Sequence, residues 1–317
     1  MTVTPNCYSV GIDVGKFELF VALWGEETPT AYRSDPDGIA AILKRLAACR
    51  APARVGFEST GGLEYPLWQA LTAAGHDARQ INPARIKSFA RARGTLAKTD
   101  AVDATLIAEF VNHFPAAGRI MDTEKLHQIR LLTTKRRQLI EQRKRISNQR
   151  CRTRDAMISE MEAAQIALCE SQIQRLEKRL QETIANEPAL AEKDQLLRSI
   201  PGIGPVLSST FIGSVPELGH IGDKPVSALV GLAPIPRDSG TKQGRRFIQG
   251  GRKPVRDTLY AAAISAMRFN PDLRKFAEAK KAEDKPHKQI TCAVARKLLI
   301  TANAILRRRT PWENRTA

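Results

Sequence analysis

The chain has 317 residues, 42% of them hydrophobic, so it can bury a core divided between two domains and a connecting helical segment. It carries 50 Lys and Arg against 33 Asp and Glu, a formal net charge of +17 at pH 7. Such an excess predicts a polyanionic partner, and nucleic acid fits better than a membrane surface. No apolar run approaches the roughly 18 residues of a membrane-spanning helix, and no signal sequence opens the chain, so we expect a soluble intracellular protein.

Cysteine and histidine spacing argues against a zinc site. The chain has five of each, widely scattered and without a CxxC pair. The pattern therefore predicts neither a disulfide framework nor a zinc knuckle. A catalytic metal would need oxygen ligands, which suit Mg²⁺ or Mn²⁺.

Strand and helix patterns alternate from the start to about Asn112. Predicted strands cover residues 8–14, 17–24, 30–33, 54–57 and 77–81. Predicted helices cover 35–50 and 63–74, and two more begin at Ala84 and at Thr99. The first two strands are joined by a turn at Gly15 and Lys16. A hairpin followed by β-α-β-α units predicts a mixed sheet with flanking helices, the α/β fold class.

Four acidic residues occur where a metal-dependent phosphoryl-transfer site would need them: Asp13, Glu58, Asp100 and Asp103. The strands that carry Asp13 and Glu58 can lie side by side, and Asp100 and Asp103 project from one face at the start of a helix. Carboxylates brought so close repel one another unless divalent cations lie between them, so the pattern predicts a metal site.

Each acid taken alone has a structural explanation. Asp100 suits a helix N-terminus, and Glu58 could be a turn residue before Ser59. An Asp inside the apolar strand VGIDVG is costly to bury without a partner, so Asp13 favours the metal site. We predict that Glu64, the nearest rival to Glu58, falls inside the following helix and is the weaker candidate ligand of the two.

Residues 123–187 contain no proline and no glycine and are densely charged. Apolar residues recur at spacings of three and four, as in Ile173, Leu176, Leu180 and Ile184, which predicts long helices in a hairpin or coiled coil. A charged helix face is usually only solvated. The basic run is concentrated enough to predict phosphate contacts as well, by Arg143, Lys144 and Arg145.

The segment IPGIGP between two predicted helices resembles a helix-hairpin-helix, in which Gly202 and Gly204 let backbone N–H groups approach a phosphate. An ordinary turn between two helices explains the segment equally well.

A Pro- and Gly-rich loop follows, and it places the Ser239 hydroxyl among basic residues. Those predicted to contact nucleic acid are Arg237, Lys242, Arg245, Arg246, Arg252 and Lys253. Alone, Ser239 would be read as a turn residue beside Gly240.

Motifs from end to end of the chain resemble one family. GIDVGK, GFESTGG, KTDAVDA, IPGIGP and GLAPIPRDSGTKQGRRFIQGGRKPVRDTLYAAA, in this order, are similar to the DEDD transposases of bacterial insertion sequences, described as bridge-RNA-guided serine recombinases. The resemblance implies a RuvC-like, ribonuclease-H-type domain (1–122), a coiled-coil helical segment (123–190) and a mostly helical C-terminal transposase domain (191–317). By motif, Asp13, Glu58, Asp100 and Asp103 match the acidic quartet and Ser239 matches the nucleophile.

The resemblance also implies partners. These are a bridge RNA that pairs with target and donor DNA, two DNA duplexes, and a homotetramer, a dimer of dimers, in the bacterial cytoplasm at the nucleoid. Base pairing would read the sequence while the basic protein holds backbones. Cleavage would leave a 5′-phosphoserine link.

Two other function classes stay open at this point. A RuvC-like Holliday-junction resolvase would use the same acids with water as nucleophile and would not depend on Ser239. A non-catalytic RNA-binding or architectural protein would explain the charge and the hairpin motif, but it would leave Asp13 inside a strand unexplained.

Overall fold

The computed structural model describes residues 8–26, 28–49, 52–94, 99–121, 123–236, 244 and 246–313. It forms two compact units, Met1–Asp122 and Thr123–Ala317. The first is built on a sheet and the second is helical.

The first unit contains one six-stranded mixed sheet in the order β3-β2-β1-β4-β5-β6. Its strands are β1 (Tyr8–Val14), β2 (Glu18–Leu23), β3 (Thr30–Arg33), β4 (Ala53–Glu58), β5 (Asp77–Ile81) and β6 (Arg119–Ile120). β1 to β3 are antiparallel neighbours, β1, β4 and β5 are parallel, and β6 pairs antiparallel to β5. Parallel strands need crossover connections, and helices between them supply these here.

Four helices complete this unit: α1 (Pro36–Ala48), α2 (Tyr65–Ala73), α3 (Pro83–Arg93) and α4 (Asp100–His113). Ile42 of α1 and Trp68 of α2 share a core with β1 and β4, whereas Ile86 of α3 and Ile107 of α4 belong to a separate cluster with Ile81. β1 and β4 are therefore buried on both faces, which explains their nearly continuous apolar sequence.

The second unit contains eight helices among its described residues. They are α5 (Glu124–Arg150), α6 (Ala156–Ala185), α7 (Pro188–Arg198), α8 (Pro205–Ser214), α9 (Asp223–Val230), α10 (Lys253–Phe269), α11 (Pro271–Ala282) and α12 (His287–Arg308). α5 and α6 form a long helical hairpin that buries Leu139, Cys169 and Ile173 between them.

The core of the second unit surrounds α12. Val294, Leu298 and Ala302 are fully buried there, together with Leu259 of α10. Asn303 is also fully buried, and its amide accepts from Gly219 N and donates to Ile221 O and Asp223 Oδ1 at 2.8 to 3.0 Å. Among the described residues α12 alone has the length and hydropathy of a membrane span, and half of that stretch is buried in this core.

The predicted mixed α/β sheet with flanking helices is confirmed. β6 was not predicted. α2 begins at Tyr65, two residues later than predicted, because Gly61 and Gly62 have φ of +81° and +118°, outside the helical range. The division of the helical region at residue 190 stays a prediction.

Candidate active site

The predicted acids of the first two core strands are neighbours in the sheet. β1 and β4 are parallel, with Ile12 opposite Phe57, so the next residues along, Asp13 and Glu58, lie side by side. Asp13 is the penultimate residue of β1 and Glu58 the last of β4. Both side chains are half-buried. Two carboxylates therefore lie together at the carboxyl end of the sheet, where ligands bind in many open α/β sheets.

Two glycines show which face of the sheet these carboxylates occupy. A Cβ atom on Gly11 would lie 2.1 Å from the carbonyl oxygen of Ala104 in α4, and one on Gly56 would lie 2.3 Å from Val111 Cγ2. Side chains two residues apart in a strand share a face. Asp13 and Glu58 consequently share the face of the sheet that α4 covers.

The direction of α4 brings its first turn to the same end. Ser9 of β1 donates to Asn112 near the end of α4 at 3.3 Å, and Gly11 lies against Ala104, earlier in the helix. The helix therefore runs antiparallel to β1, so Asp13, further along the strand, faces the helix start. Asp100 and Asp103 occupy that first turn. We call this region, formed by Asp13, Glu58, Asp100 and Asp103, the acidic end.

The start of α4 is well suited to carry acidic residues. Thr99 caps the helix, with its hydroxyl accepting from Val102 N at 3.3 Å. Asp100 is exposed and Asp103 is half-buried. Negative charge at a helix N-terminus is favoured by the helix dipole and by the unpaired N–H groups of the first turn.

Carboxylate donors suit a hard cation such as Mg²⁺. Within the described residues, however, no three His, Cys, Asp or Glu side chains form a group that could hold a metal ion. The fold of one chain thus brings the acids to one end of the sheet without closing a ligand cage. Their role as metal ligands stays a prediction.

Glu64 has a role that the sequence did not reveal. It lies just before α2 instead of inside it, and it is only 4% exposed. Its Oε2 accepts from Thr60 N at 3.3 Å, Thr60 Oγ1 at 2.8 Å and Gly62 N at 2.9 Å, and its Oε1 accepts from Gln80 Nε2 at 2.6 Å. The carboxylate therefore fixes the loop that follows Glu58 and ties it to β5.

The electrostatics of Glu64 agree with this role. Burial alone would raise the pKa of its carboxyl group, but hydrogen bonds from its own backbone N–H and from Thr60 and Gly62 outweigh burial and hold the pKa below its usual value. The sequence signal was a Glu shortly after the Gly61-Gly62 pair, whose backbone N–H groups need an acceptor.

The predicted nucleophile Ser239 lies outside the described residues, as do Arg237, Lys242 and Arg245. The described ends of this loop are paired with each other. Ile235 N donates to Phe247 O at 2.9 Å, and Phe247 N donates to Ile235 O at 3.4 Å. Arg246 is exposed beside this pairing.

The helix-hairpin-helix glycines have different surroundings. Gly202 has φ of +103°, and a Cβ there would lie 2.4 Å from Ala266 Cβ in α10, so close packing requires glycine. Gly204 caps α8, and a Cβ there would meet nothing within 4 Å. The α8 N-terminus is thus open on that side, as a phosphate contact would require.

Several predicted cationic contacts already have partners within the chain. Arg252 holds both oxygens of Glu217 at 2.6 and 2.7 Å and donates to Ser214 O at 2.7 Å. Arg143 pairs with Glu170 at 3.4 Å, and Lys253 pairs with Asp257 at 2.5 Å. Lys144 and Arg145 are exposed on α5. Nucleic-acid contact by all these residues stays a prediction.

Comparison with known proteins identifies relatives on both units. The DEDD transposase model of IS110, described as a transposase, matches residues 10–154, and a model described as transposase IS116/IS110/IS902 family matches residues 194–278. The first match includes all four residues of the acidic end, and the second includes Ser239. The predicted DEDD transposase family is thereby confirmed, whereas the bridge-RNA-guided serine recombinase part of that prediction stays a prediction.

Individual proteins that are similar to this chain point to the same family. The pilin gene-inverting protein of Moraxella bovis is 26% identical over 267 residues, 81% of each chain. An uncharacterized 44.8 kDa protein of insertion element IS116 from Streptomyces clavuligerus is 29% identical over 147 residues, 46% of this chain and 36% of its own. An uncharacterized 42 kDa protein of insertion element IS900 from Mycobacterium paratuberculosis is 31% identical over 117 residues, 36% of this chain and 29% of its own. The chain therefore belongs to the IS110/IS116/IS902 family of transposases, which are enzymes that act on DNA.

Proposed function

We propose that the protein is an RNA-guided recombinase of an insertion sequence, which cuts and rejoins donor and target DNA. The observation that carries the proposal is the acidic end. Asp13 and Glu58 lie side by side at the carboxyl end of adjacent parallel strands, and α4 presents Asp100 and Asp103 toward the same end. Carboxylates brought to one end of a sheet are donors that could bind divalent ions around a phosphodiester once the substrate completes the site.

In this proposal the acidic residues bind metal ions and the serine is the nucleophile. The acids of the acidic end bind Mg²⁺ or Mn²⁺, which when bound disperses negative charge from the phosphate oxygens. The Ser239 hydroxyl gives up its proton as its oxygen attacks phosphorus, the bond from phosphorus to the 3′ oxygen breaks, and the 3′ oxygen takes up one proton and leaves as a 3′ hydroxyl. A 5′-phosphoserine link remains. Rejoining reverses these steps on a new strand end and needs no ATP.

A recombinase is favoured over a hydrolase by one relative. The Moraxella bovis relative is named as a protein that inverts a gene, and inversion requires that cut strands be rejoined. A water-using resolvase would cut DNA and release the ends. Conservation of bond energy in a covalent link suits inversion and transposition better.

The charge of the chain supports nucleic-acid partners. A net charge of +17 fits a protein that holds a bridge RNA and two DNA duplexes through their backbones. In this proposal the exposed Lys144 and Arg145 of α5 and the open N-terminus of α8 contact phosphates. A tetramer would supply one protein subunit for each strand cut on two duplexes.

The decisive experiment looks for the covalent link. Full-length protein, bridge RNA and end-labelled DNA are incubated with Mg²⁺, and a labelled species that survives denaturant but not protease is measured. Ser239→Ala should abolish this species, whereas Ser171→Ala, which alters an exposed serine on α6, should leave it intact. Cleavage by Ser239→Ala at the normal rate without any adduct would refute the serine and support the resolvase.

The acidic end has a test of its own. Asp13→Asn should reduce metal-dependent cleavage by a factor of roughly 100 or more, because a lost metal ligand removes charge stabilisation of the transition state. Asp37→Asn, an exposed acid in the first turn of α1, is the matched control and should cleave normally. Equal cleavage by the two variants would exclude Asp13 from the site.

A further inference from the structure

An exposed aromatic ring lies beside the acidic end. Phe17 is 76% exposed, more than any other large apolar side chain among the described residues. It belongs to the hairpin tip, residues 15–18, which joins β1 to β2. Exposing a whole phenyl ring forfeits the free energy of burying it, so a binding role is a natural explanation.

The backbone of the hairpin tip is held in place. Gly15 N donates to Glu18 O at 2.9 Å, and Ser34 N donates to Phe17 O at 2.9 Å. A Cβ on Gly15 would lie 2.8 Å from Glu18 O, so the turn is tight. Phe17 is therefore presented to solvent by a hydrogen-bonded turn anchored at the end of β3, and its ring needs little ordering when it binds.

The hairpin tip lies within reach of a DNA strand held at the acidic end. Val14 is opposite Leu19, so the tip starts directly after the residue that follows Asp13. It extends about 7 to 10 Å beyond Asp13, at the strand rise of about 3.3 Å per residue. Phosphates of one strand of duplex DNA are about 3.4 Å apart along the helix axis, so this distance spans two or three nucleotides.

The chemistry of the tip suits a nucleotide. Lys16 Nζ lies 5.2 Å from the centre of the Phe17 ring, so a cation and an aromatic face are presented together. A phenyl ring stacks on any unpaired base, and a lysine holds the adjoining phosphate. Leu63, 49% exposed in the loop that follows Glu58, adds a second apolar side chain at this end of the sheet.

We propose that Phe17 stacks on an unpaired DNA base a few nucleotides from the phosphate at the acidic end, with Lys16 contacting the backbone there. This contact rests on the proposed function, since it assumes that DNA occupies the acidic end. It goes further by requiring that the strands be locally unpaired near the cut. The hairpin tip would hold a displaced base and keep the duplex from closing.

The first experiment maps the contact by photo-crosslinking. The probe is a DNA duplex spanning an end of the insertion sequence, with thymines of one strand replaced by 5-iodouracil. It is bound with Mg²⁺ to full-length Ser239→Ala protein and bridge RNA, so that the metal can hold DNA at the acidic end without any need for cleavage. Crosslinked peptides are identified by mass spectrometry. A crosslink to Phe17 is expected. Crosslinks confined to other residues would overturn the proposal.

The second experiment measures affinity by fluorescence anisotropy for DNA with and without an unpaired bubble. Phe17→Ala should weaken binding to the bubble by about ten-fold, the effect of one lost base–aromatic stack, and Phe17→Trp should restore it. Phe269→Ala is the matched control, since Phe269 is 69% exposed at the end of α10. Equal losses for the two Ala variants, or a change of oligomeric state instead of affinity, would contradict the proposal.

These measurements separate the two proposals. A Phe17 crosslink together with normal cleavage by Asp13→Asn would leave the base contact standing and reject the metal site. Loss of cleavage in Asp13→Asn without any effect of Phe17→Ala on bubble binding would support the metal site and reject the base contact.

Discussion

Replacing Glu64 tests whether one buried carboxylate holds the loop of the acidic end. Four hydrogen bonds converge on its two oxygens. Hydrogen bonds to a charged group contribute about 1.5 to 3 kcal/mol each, but they are not additive, and water can reach the exposed Gly61 and Gly62. We therefore expect Glu64→Ala to lower the free energy of unfolding of the first unit by about 3 kcal/mol.

The isosteric variant should cost less. In Glu64→Gln the amide oxygen can still accept from Thr60 and Gly62, while its NH₂ group faces Gln80, which can turn its own amide to accept. Only the charge is lost, so we expect a cost of about 1 kcal/mol. Glu26→Gln is the matched control, because Glu26 is 39% exposed in a surface pair with Arg45 and should cost less than about 1 kcal/mol.

The pH dependence gives an independent check. The folded-state pKa of Glu64 is held below the ordinary 4.5, so its stabilisation is fully present above pH 4.5 and is lost as pH falls below that value. The difference in unfolding free energy between wild type and Glu64→Gln should shrink over the same range.

Urea unfolding with peptide-resolved hydrogen exchange measures these effects. Peptides from residues 8–121 report on the first unit separately from the second, and the amides of Thr60 and Gly62 should exchange faster in Glu64→Ala. DNA cleavage should also fall in this variant under conditions where it remains folded. A free energy of unfolding within about 0.5 kcal/mol of wild type, with unchanged exchange at these two amides, would refute the reasoning.

Three further changes test other parts of the structure. Gly11→Ala should lower the thermal midpoint strongly, since the added Cβ meets the Ala104 carbonyl and overpacking costs about 1 to 3 kcal/mol; an unchanged midpoint would contradict the close approach of α4. Arg252→Gln should reduce thermal stability by about 1 to 2 kcal/mol through loss of the bidentate pair with Glu217, while the salt dependence of DNA binding stays unchanged; a shallower salt slope would instead support phosphate contact. Burial lowers the pKa of His76, whose Nδ1 accepts from Ala53 N at 3.4 Å. The free energy of unfolding should therefore decline as pH falls below 6.5, where the unfolded chain takes up a proton more readily than the folded one. In acid titrations followed by circular dichroism, His76→Gln should show a smaller decline than wild type.

The alternation of apolar segments predicted most of the sheet, because the central strands β1, β2 and β4 are largely buried and the predicted strands are bounded by Gly, Pro or Asp. Asp13 stood out for a physical reason, since an acid within an apolar strand needs compensation. That strand lies beside the one carrying Glu58, as the prediction required. The two residues of β6 carry no periodicity, so only pairing with β5 defines them as a strand.

Partners distant in sequence explain what the pattern could not predict. Arg252 was predicted as a nucleic-acid contact from its basic neighbours, which stays a prediction. Its ion pair with Glu217, 35 residues earlier, could not be predicted from those neighbours. Glu64 was placed inside the helix predicted over residues 63–74, whereas its hydrogen bonds with Thr60, Gly62 and Gln80 depend on the folded loop. Local composition reports which charges are present and leaves their pairing to the tertiary structure.

The glycines at positions 11 and 56 have a consequence for how the enzyme can be controlled. The main chain at Gly11 lies against the Ala104 carbonyl of α4, and the main chain at Gly56 lies against the Val111 side chain, so a shift of α4 along the strands would require repacking at both contacts. The spacing of the acids at the acidic end is consequently built in when this unit folds. A change between inactive and active states is therefore expected to come from outside the packed sheet and α4, either from the loops around the acidic end or from the binding of other molecules.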